Sequence, residues 1–408
     1  MKNFLSNEGY DNLNNLLTSG KGSFVSINNR KYLDLSLSAG AHILGHNPKI
    51  FKRSIKQMLK LNVSNFAAKN KYAVEFSKTL KKILPHYSKF IFCNSGTEAV
   101  MKSLRVARSI TKKNIIISVS GSWHGSTSEL LYTNNENFEN VELSSGLDKN
   151  FKKNLKIIPN NNIKLSKKIL DKYKKKIMCV IIEPVQGCLP LQSIDYLKFI
   201  DNYCRNNELT LIFDEMITGL RFNCSSVQDQ FNLNPSISTF GKCFGGGLPI
   251  GIIALKKDIL KKMSNNKKKV FFGGTFSGNS INMYISNKIV TYIYKNKRFI
   301  FKDLERKSEF FQKKINLFLN QNNIDATCVR FASMLRIVFT KKKIINRTQR
   351  DFFENKKTKV INDFKKYLFK NRIYYPNSGI IFLATSTSYK EINHLLEATK
   401  KAFKKLYK

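Results

Sequence analysis

The chain is short of acid, short of arginine and without a long apolar run, and each shortage removes a class of explanation. Only 28 Asp and Glu stand against 71 Lys and Arg in 408 residues, a formal net charge of +43. Clustered, that excess would suit a phosphate backbone, because gathered cations bind polyanions by releasing counterions. It is not clustered. Just 13 of the basic residues are arginine, the side chain that reads guanine and clamps phosphate with two parallel bonds. The lysines are spread with asparagine and isoleucine from end to end, in runs such as Lys267-Lys268-Lys269 that read as solvated loops or helix ends. A basic nucleic-acid-binding protein is the reading of another class; weak attraction to polyanions is expected, specific nucleic-acid recognition is not. No apolar run reaches the ~18 residues of a membrane span, and residues 1–8 lack the apolar stretch of a signal peptide, so a soluble cytoplasmic protein with no membrane partner is expected. Seven cysteines make no C-x-x-C pair and read as buried free thiols of a reducing compartment. Of five histidines only His42 and His46 have metal spacing, and only in a helix that Gly45 and Pro48 disfavour, so no metal site is expected.

Charge is scarcest in one place. Residues 230–255 contain a single charged side chain, Lys242, within Gly241-Lys242-Cys243-Phe244-Gly245-Gly246-Gly247. A solvated lysine needs no such neighbours. An amine in apolar surroundings has its charged form penalised and its pKa lowered toward the range where it attacks a carbonyl, and the glycines let a ligand approach the backbone. The segment reads as the site of a Schiff-base lysine.

At 42% hydrophobic the chain buries a large core. Short apolar runs alternate with helical patterns from about residue 89 to 255, the signature of βαβ units and a mainly parallel sheet. Strands are expected at 89–93, 114–119, 178–183, 210–214 and 250–255, with a packing helix at 195–206. Beyond them the spacing predicts lysine-rich helices near 281–320 and 350–371 and strands at 334–339 and 380–384. The fold class is therefore α/β: a large domain with a mainly parallel sheet flanked by helices, plus a smaller α+β domain.

Five further segments carry chemistry. Ser95, with Glu98 three residues on, has the form of a capping box after an apolar strand. The helix it starts would offer free amides and the positive dipole end to a phosphate, with Gly96 and Thr97 as donors; a plain capped helix has the same pattern. Asp214 closes Leu211-Ile212-Phe213-Asp214, at the strand end where ligands gather in open α/β sheets. A carboxylate there is costly to bury unpaired, and a pyridinium nitrogen is one partner that makes sense of it. Ser122-Trp123-His124-Gly125 holds the only tryptophan, a flat ring able to stack on a planar cofactor. Glu183 ends another strand in Glu183-Pro184-Val185-Gln186-Gly187, and Gly273-Gly274-Thr275-Phe276-Ser277-Gly278-Asn279 is a polar loop able to present a hydroxyl to a phosphate.

In this order and spacing, with Ile43-Leu44-Gly45-His46 before them, these segments resemble the class III, fold type I pyridoxal-phosphate aminotransferases, most closely the glutamate-1-semialdehyde 2,1-aminomutase branch. The resemblance runs from about Asn28 to the C-terminus. It implies an N-terminal segment, 1–40, joining the small domain, a cofactor-binding large domain at 41–285 and a small domain at 286–408. It implies pyridoxal 5'-phosphate carried on Lys242, with Asp214 on the pyridine nitrogen, and these two as the catalytic residues. Ser95, Gly96, Thr97, Trp123, His124 and Glu183 are then the cofactor's surroundings, and Thr275 reaches the phosphate across a homodimer with shared active sites. The implied reaction moves an amino group from an amino-acid donor to a small or sugar-like carbonyl acceptor. Departures fall on the substrate side. Only about 20 residues precede Gly22, so the branch's N-terminal stretch is missing; its tryptophan before a glycine is replaced in Ser38-Ala39-Gly40, its asparagine is Cys188, and a late glutamate falls at Ile380. A general aminotransferase is thus expected over the aminomutase itself, with Arg221, Arg330 and Arg336 as candidates to hold a substrate carboxylate.

Overall fold

In the computed structural model, residues 16–134 and 139–407 are described; residues 1–8, read above for a leader, lie outside them. Seven strands lie side by side in the order Lys89–Cys93, Gly251–Leu255, Ile237–Gly241, Leu211–Asp214, Ile177–Ile182, Ile115–Val119 and Leu155–Ile158. Gly251–Leu255 pairs antiparallel with both neighbours, and the rest run parallel. The inner strands are buried on both faces, which is why most of them are continuous apolar runs without alternation. The pleat still sorts them. Ile181, Ile212 and Ile253 pack with Val100, Leu104 and Ala107 of the Gly96–Thr111 helix. Val180, Ile182, Leu211 and Phe213 pack with Tyr196, Leu197 and Ile200 of the Ile194–Asn206 helix on the opposite face.

The C-terminal region adds a three-stranded antiparallel sheet of Thr327–Phe331, Met334–Val338 and Ile380–Phe382, backed by the Lys297–Gln321, Thr358–Lys370 and Tyr389–Leu406 helices. Near the other end of the chain, Leu17–Lys21, Phe24–Ile27 and Arg30–Asp34 form a sheet completed by Ile373–Tyr374.

Strand and helix ends differ from the sequence expectations by up to three residues, and two strands and two helix breaks were not expected. Leu155–Ile158 and Ile237–Gly241 were not anticipated; the second, Ile-Ser-Thr-Phe-Gly, lacks the aliphatic density of its neighbours yet is wholly buried between them. The expected helix at 281–320 breaks at Asn296, whose side-chain amide donates to the Tyr292 carbonyl at 2.8 Å and so competes with the helical ladder. The helix expected at 350–371 breaks likewise, into Arg347–Asn355 and Thr358–Lys370.

Gly251 couples the sheet to the helix that begins beside it. It pairs with Cys93 across the antiparallel ladder, and a Cβ there would lie 2.1 Å from the Ser95 carbonyl oxygen. Gly251→Ala must push strand and helix start apart, an overpacking cost of about 1–3 kcal/mol. Chemical denaturation should show that loss, and an unchanged midpoint would contradict the close approach.

Candidate active site

Apart from Thr275, the candidate groups for the cofactor stand at the C-terminal ends of parallel strands. Ser95 comes after Lys89–Cys93, Trp123 and His124 after Ile115–Val119, Glu183 after Ile177–Ile182, and Lys242 after Ile237–Gly241, while Asp214 ends its own strand. Because these strands share a direction, their residues converge on one edge of the sheet, where backbone pairing ends and ligands gather.

Asp214 is 4% exposed, and no lysine or arginine forms an ion pair with it among the described residues. Its Oδ1 accepts from Thr239 Oγ1 at 3.1 Å and from the Met216 amide at 3.2 Å. Its Oδ2 lies 2.8 Å from His124 Nδ1. His124 is also buried, and its other ring nitrogen, Nε2, has no partner among the described residues. A buried unpartnered polar atom is expensive, so its presence beside a buried acid marks a place where a polar group can be received.

Lys242 stands at the end of the neighbouring strand, three residues past Thr239, the register partner of Asp214. Its backbone is left-handed, φ +46°, a conformation that costs a non-glycine residue free energy and accompanies functional positions. The half-buried side chain makes no hydrogen bond or ion pair among the described residues. Burial lowers the ammonium's pKa, against the opposing pull of Glu183 and Asp214, and Arg221 lowers it further.

Ser95 caps the Gly96–Thr111 helix by accepting from the Glu98 amide at 3.1 Å. The expected capping box does not close. Glu98 Oε2 instead takes the Asn94 amide at 2.8 Å, and Oε1 pairs with the buried ammonium of Lys102, which holds the carboxyl below its usual range. The amides of Gly96 and Thr97 have no intrahelical acceptor by position. The loop after Ile115–Val119 is clamped onto this helix start. Gly125 has φ +76° and a Cβ there would meet Thr97 Oγ1 at 2.4 Å, while the Ser126 amide donates to that same oxygen at 3.1 Å.

Glu183 acts as the knot of the site. It accepts from the Trp123 amide at 2.8 Å and the Gly187 amide at 3.1 Å, fixing the loop that carries Trp123 and His124. Burial drives its pKa up to about 7, with His124 opposing and Asp214 adding to the rise. The Trp123 side chain is 51% exposed, its ring open to contact. Thr275 is exposed and makes no hydrogen bond to a described residue; its loop meets the Gly96–Thr111 helix through Ser277, 3.5 Å from Glu98 Oε1, and through the Gly273 carbonyl, 3.4 Å from Lys102 Nζ.

The three arginines singled out for a substrate carboxylate are engaged. Arg221, 2% exposed, donates to the Gly40 carbonyl, to Cys243 Sγ and Ser333 Oγ at 3.3 Å each, and to the Ile217 carbonyl. Those bonds tie down Gly40 at the end of a run of left-handed residues from Leu37, where the sequence departs from the aminomutase branch. Arg330 pairs with Glu305 at 2.6 Å and Arg336 with Glu354 at 2.7 Å. Of the other departures, Ile380 is 2% exposed inside its strand, and Cys188 Sγ lies 3.3 Å from the Gly121 carbonyl. Sequence reasoning missed Arg347, which packs on Gly121 and bonds its carbonyl at 3.3 Å. It follows a lysine run and belongs to no recognised motif, so only the fold reveals it.

Glu183 also sets a pH signature. Its folded pKa of about 7 exceeds its ordinary 4.5, so between those values the folded chain holds a proton that the unfolded chain releases, and stability falls as pH rises through that window. The loss is of the order of 1.4 kcal/mol per unit of separation. Glu183→Gln should flatten part of this decline in stability measured between pH 4.5 and 7, leaving the share of the similarly raised Glu215. A variant with the wild-type pH dependence would contradict the burial argument.

Comparison with known proteins meets this geometry. The family model for class-III aminotransferases matches residues 5–365. The chain is 32% identical over 400 residues to the glutamate-1-semialdehyde 2,1-aminomutase of Methanosphaera stadtmanae, covering 96% of this chain and 92% of that one. It is 35% identical over 328 residues to the enzyme of that name from Wigglesworthia glossinidia brevipalpis, covering 78% and 74%. An omega-transaminase from Sphaerobacter thermophilus shares the fold with a TM-score of 0.87 at 19% identity, covering 97% and 92%. A glutamate-1-semialdehyde-aminomutase from Pseudomonas aeruginosa does so at 0.84 and 14% identity, covering 96% and 88%. With its parallel sheet, its strand-end lysine and acid and a family match over most of its length, the chain belongs to the class-III aminotransferases, the pyridoxal-phosphate enzymes that its motifs resemble.

Proposed function

We propose that the chain transfers an amino group from an amino-acid donor to a small or sugar-like carbonyl acceptor, with Lys242 carrying pyridoxal 5'-phosphate. The observation that carries this reading is the pairing of an unbonded, desolvated amine with a buried, cation-free carboxylate at the ends of adjacent strands. When bound, the cofactor supplies the electron sink that makes the substrate's Cα–H acidic. Asp214 would hold a proton on the ring nitrogen, and His124 and Thr239 bond that acid and aim it. Ser95, Gly96 and Thr97 hold the phosphate at the positive end of their helix. Trp123 covers one face of the ring, positioned by Glu183 through its amide. Lys242 Nζ, uncharged more readily because of burial, would be freed when the donor amine displaces it and would then move the proton at the substrate's Cα. Thr275 is assigned to a partner subunit's phosphate in a homodimer.

The runner-up is glutamate-1-semialdehyde 2,1-aminomutase, favoured by the names of relatives at 32% and 35% identity. The general aminotransferase is preferred because the departures at Ser38-Ala39-Gly40, Cys188 and Ile380 lie on the substrate side while the cofactor residues are complete. Isomerisation of glutamate semialdehyde without any amino donor would reverse that preference.

Protein reconstituted with pyridoxal phosphate should show a visible absorbance band that Lys242→Ala abolishes, together with a loss of about 10²-fold or more in amino transfer. A colourless wild-type protein with steeply salt-dependent DNA affinity would overturn the reading in favour of a polyanion-binding role.

A further inference from the structure

A substrate that carries a carboxylate needs a cation near Lys242, and Arg221, Arg330 and Arg336 are spent on internal partners. Arg347 is not. It opens the Arg347–Asn355 helix, whose Thr348 hydroxyl lies 3.1 Å from Ser120 Oγ, and its Cβ and Cδ pack against Gly121, two residues before Trp123. Its side chain is 31% exposed. Nε donates to Asp351 Oδ2 at 3.2 Å and Nη1 to the Gly121 carbonyl at 3.3 Å, both at the long, weak end of hydrogen bonding, while Nη2 has no partner among the described residues. Its one acid is shared, since Arg350 also binds Asp351. Among the described residues the guanidiniums of Arg336, Arg347 and Arg350 share two acids as ion-pair partners, Asp351 and Glu354, and Arg347 is the most exposed of the three. Gly121, which Arg347 bonds, lies two residues before Trp123, whose amide Glu183 accepts, and this ties the cluster to the site.

We infer that Arg347 pairs with the carboxylate of the amino-acid donor and so selects for acid-bearing amines. The inference rests on the proposed aminotransferase reading. A guanidinium fork matches a carboxylate with two parallel charge-assisted bonds, and the Nη1–Nη2 edge, held by one weak bond, is the edge available to make them. The arginine thereby replaces the substrate contacts altered at Cys188 and Ser38-Ala39-Gly40.

The test follows the visible band of cofactor-loaded wild-type, Arg347→Met and Arg347→Lys proteins on mixing with L-glutamate, L-alanine or propylamine. In Arg347→Met the half-saturating concentration of the faster amino acid should rise on the order of tenfold or more, with the limiting rate within about twofold and the propylamine reaction unchanged. Arg347→Lys should recover part of the affinity. Unchanged half-saturation in a coloured, folded Arg347→Met protein overturns the inference. Should that variant fail to fold, Arg347→Lys is expected to weaken binding a few-fold, and unchanged affinity there overturns it equally. A wild-type protein that lacks the band or ignores both amino acids instead defeats the aminotransferase reading itself.

Discussion

Asp214 is an acid almost out of water with no ion-paired lysine or arginine among the described residues, and the rest of the site follows from making that state tolerable. A buried carboxylate without partners is costly; three contacts, from Thr239, the Met216 amide and His124, offset that cost. Each contact recruits another element. Thr239 belongs to the strand that ends in Lys242, and His124 belongs to the loop that Glu183 holds and that Gly125 seats on the helix start. Holding one charge in place thus brings amine, aromatic ring and phosphate-ready amides to the same edge.

Burial acts on the groups there in opposite directions. It raises the carboxyl of Glu183 to about 7 and lowers the ammonium of Lys242, while Asp214 is held by three hydrogen-bond contacts. The same element does different work at each position, and the difference lies in the donors. The chain's net charge of +43 plays little part, because the lysines that create it lie outside the charge-poor segment that carries Lys242.

The sequence was most legible where backbone and chemistry coincide. Strand-end residues such as Asp214 and Glu183 could be read because a buried parallel strand is a continuous apolar run and its last residue meets the ligand edge. Lys242 stood out by the scarcity of charge around it. Ile237–Gly241, the strand that positions it, was hidden by its serine, threonine and glycine, whose burial depends on neighbours far off in the chain. Glu98 was read as half of a capping box and serves instead as acceptor for Asn94 and Lys102, a choice set by the loop at Phe272, whose carbonyl shares the Lys102 ammonium at 2.7 Å. The substrate side was least legible, since the engagement of Arg221 and the openness of Arg347 are facts of packing between distant segments.

The central claim is that one of 58 lysines is chemically singled out by its surroundings. Incubation with pyridoxal phosphate, reduction with borohydride and peptide mass spectrometry tests it directly. The account predicts a stoichiometric pyridoxyl mass on the peptide containing Lys242 and little elsewhere; labelling spread over the exposed lysines, with Lys242 unmodified, would contradict it.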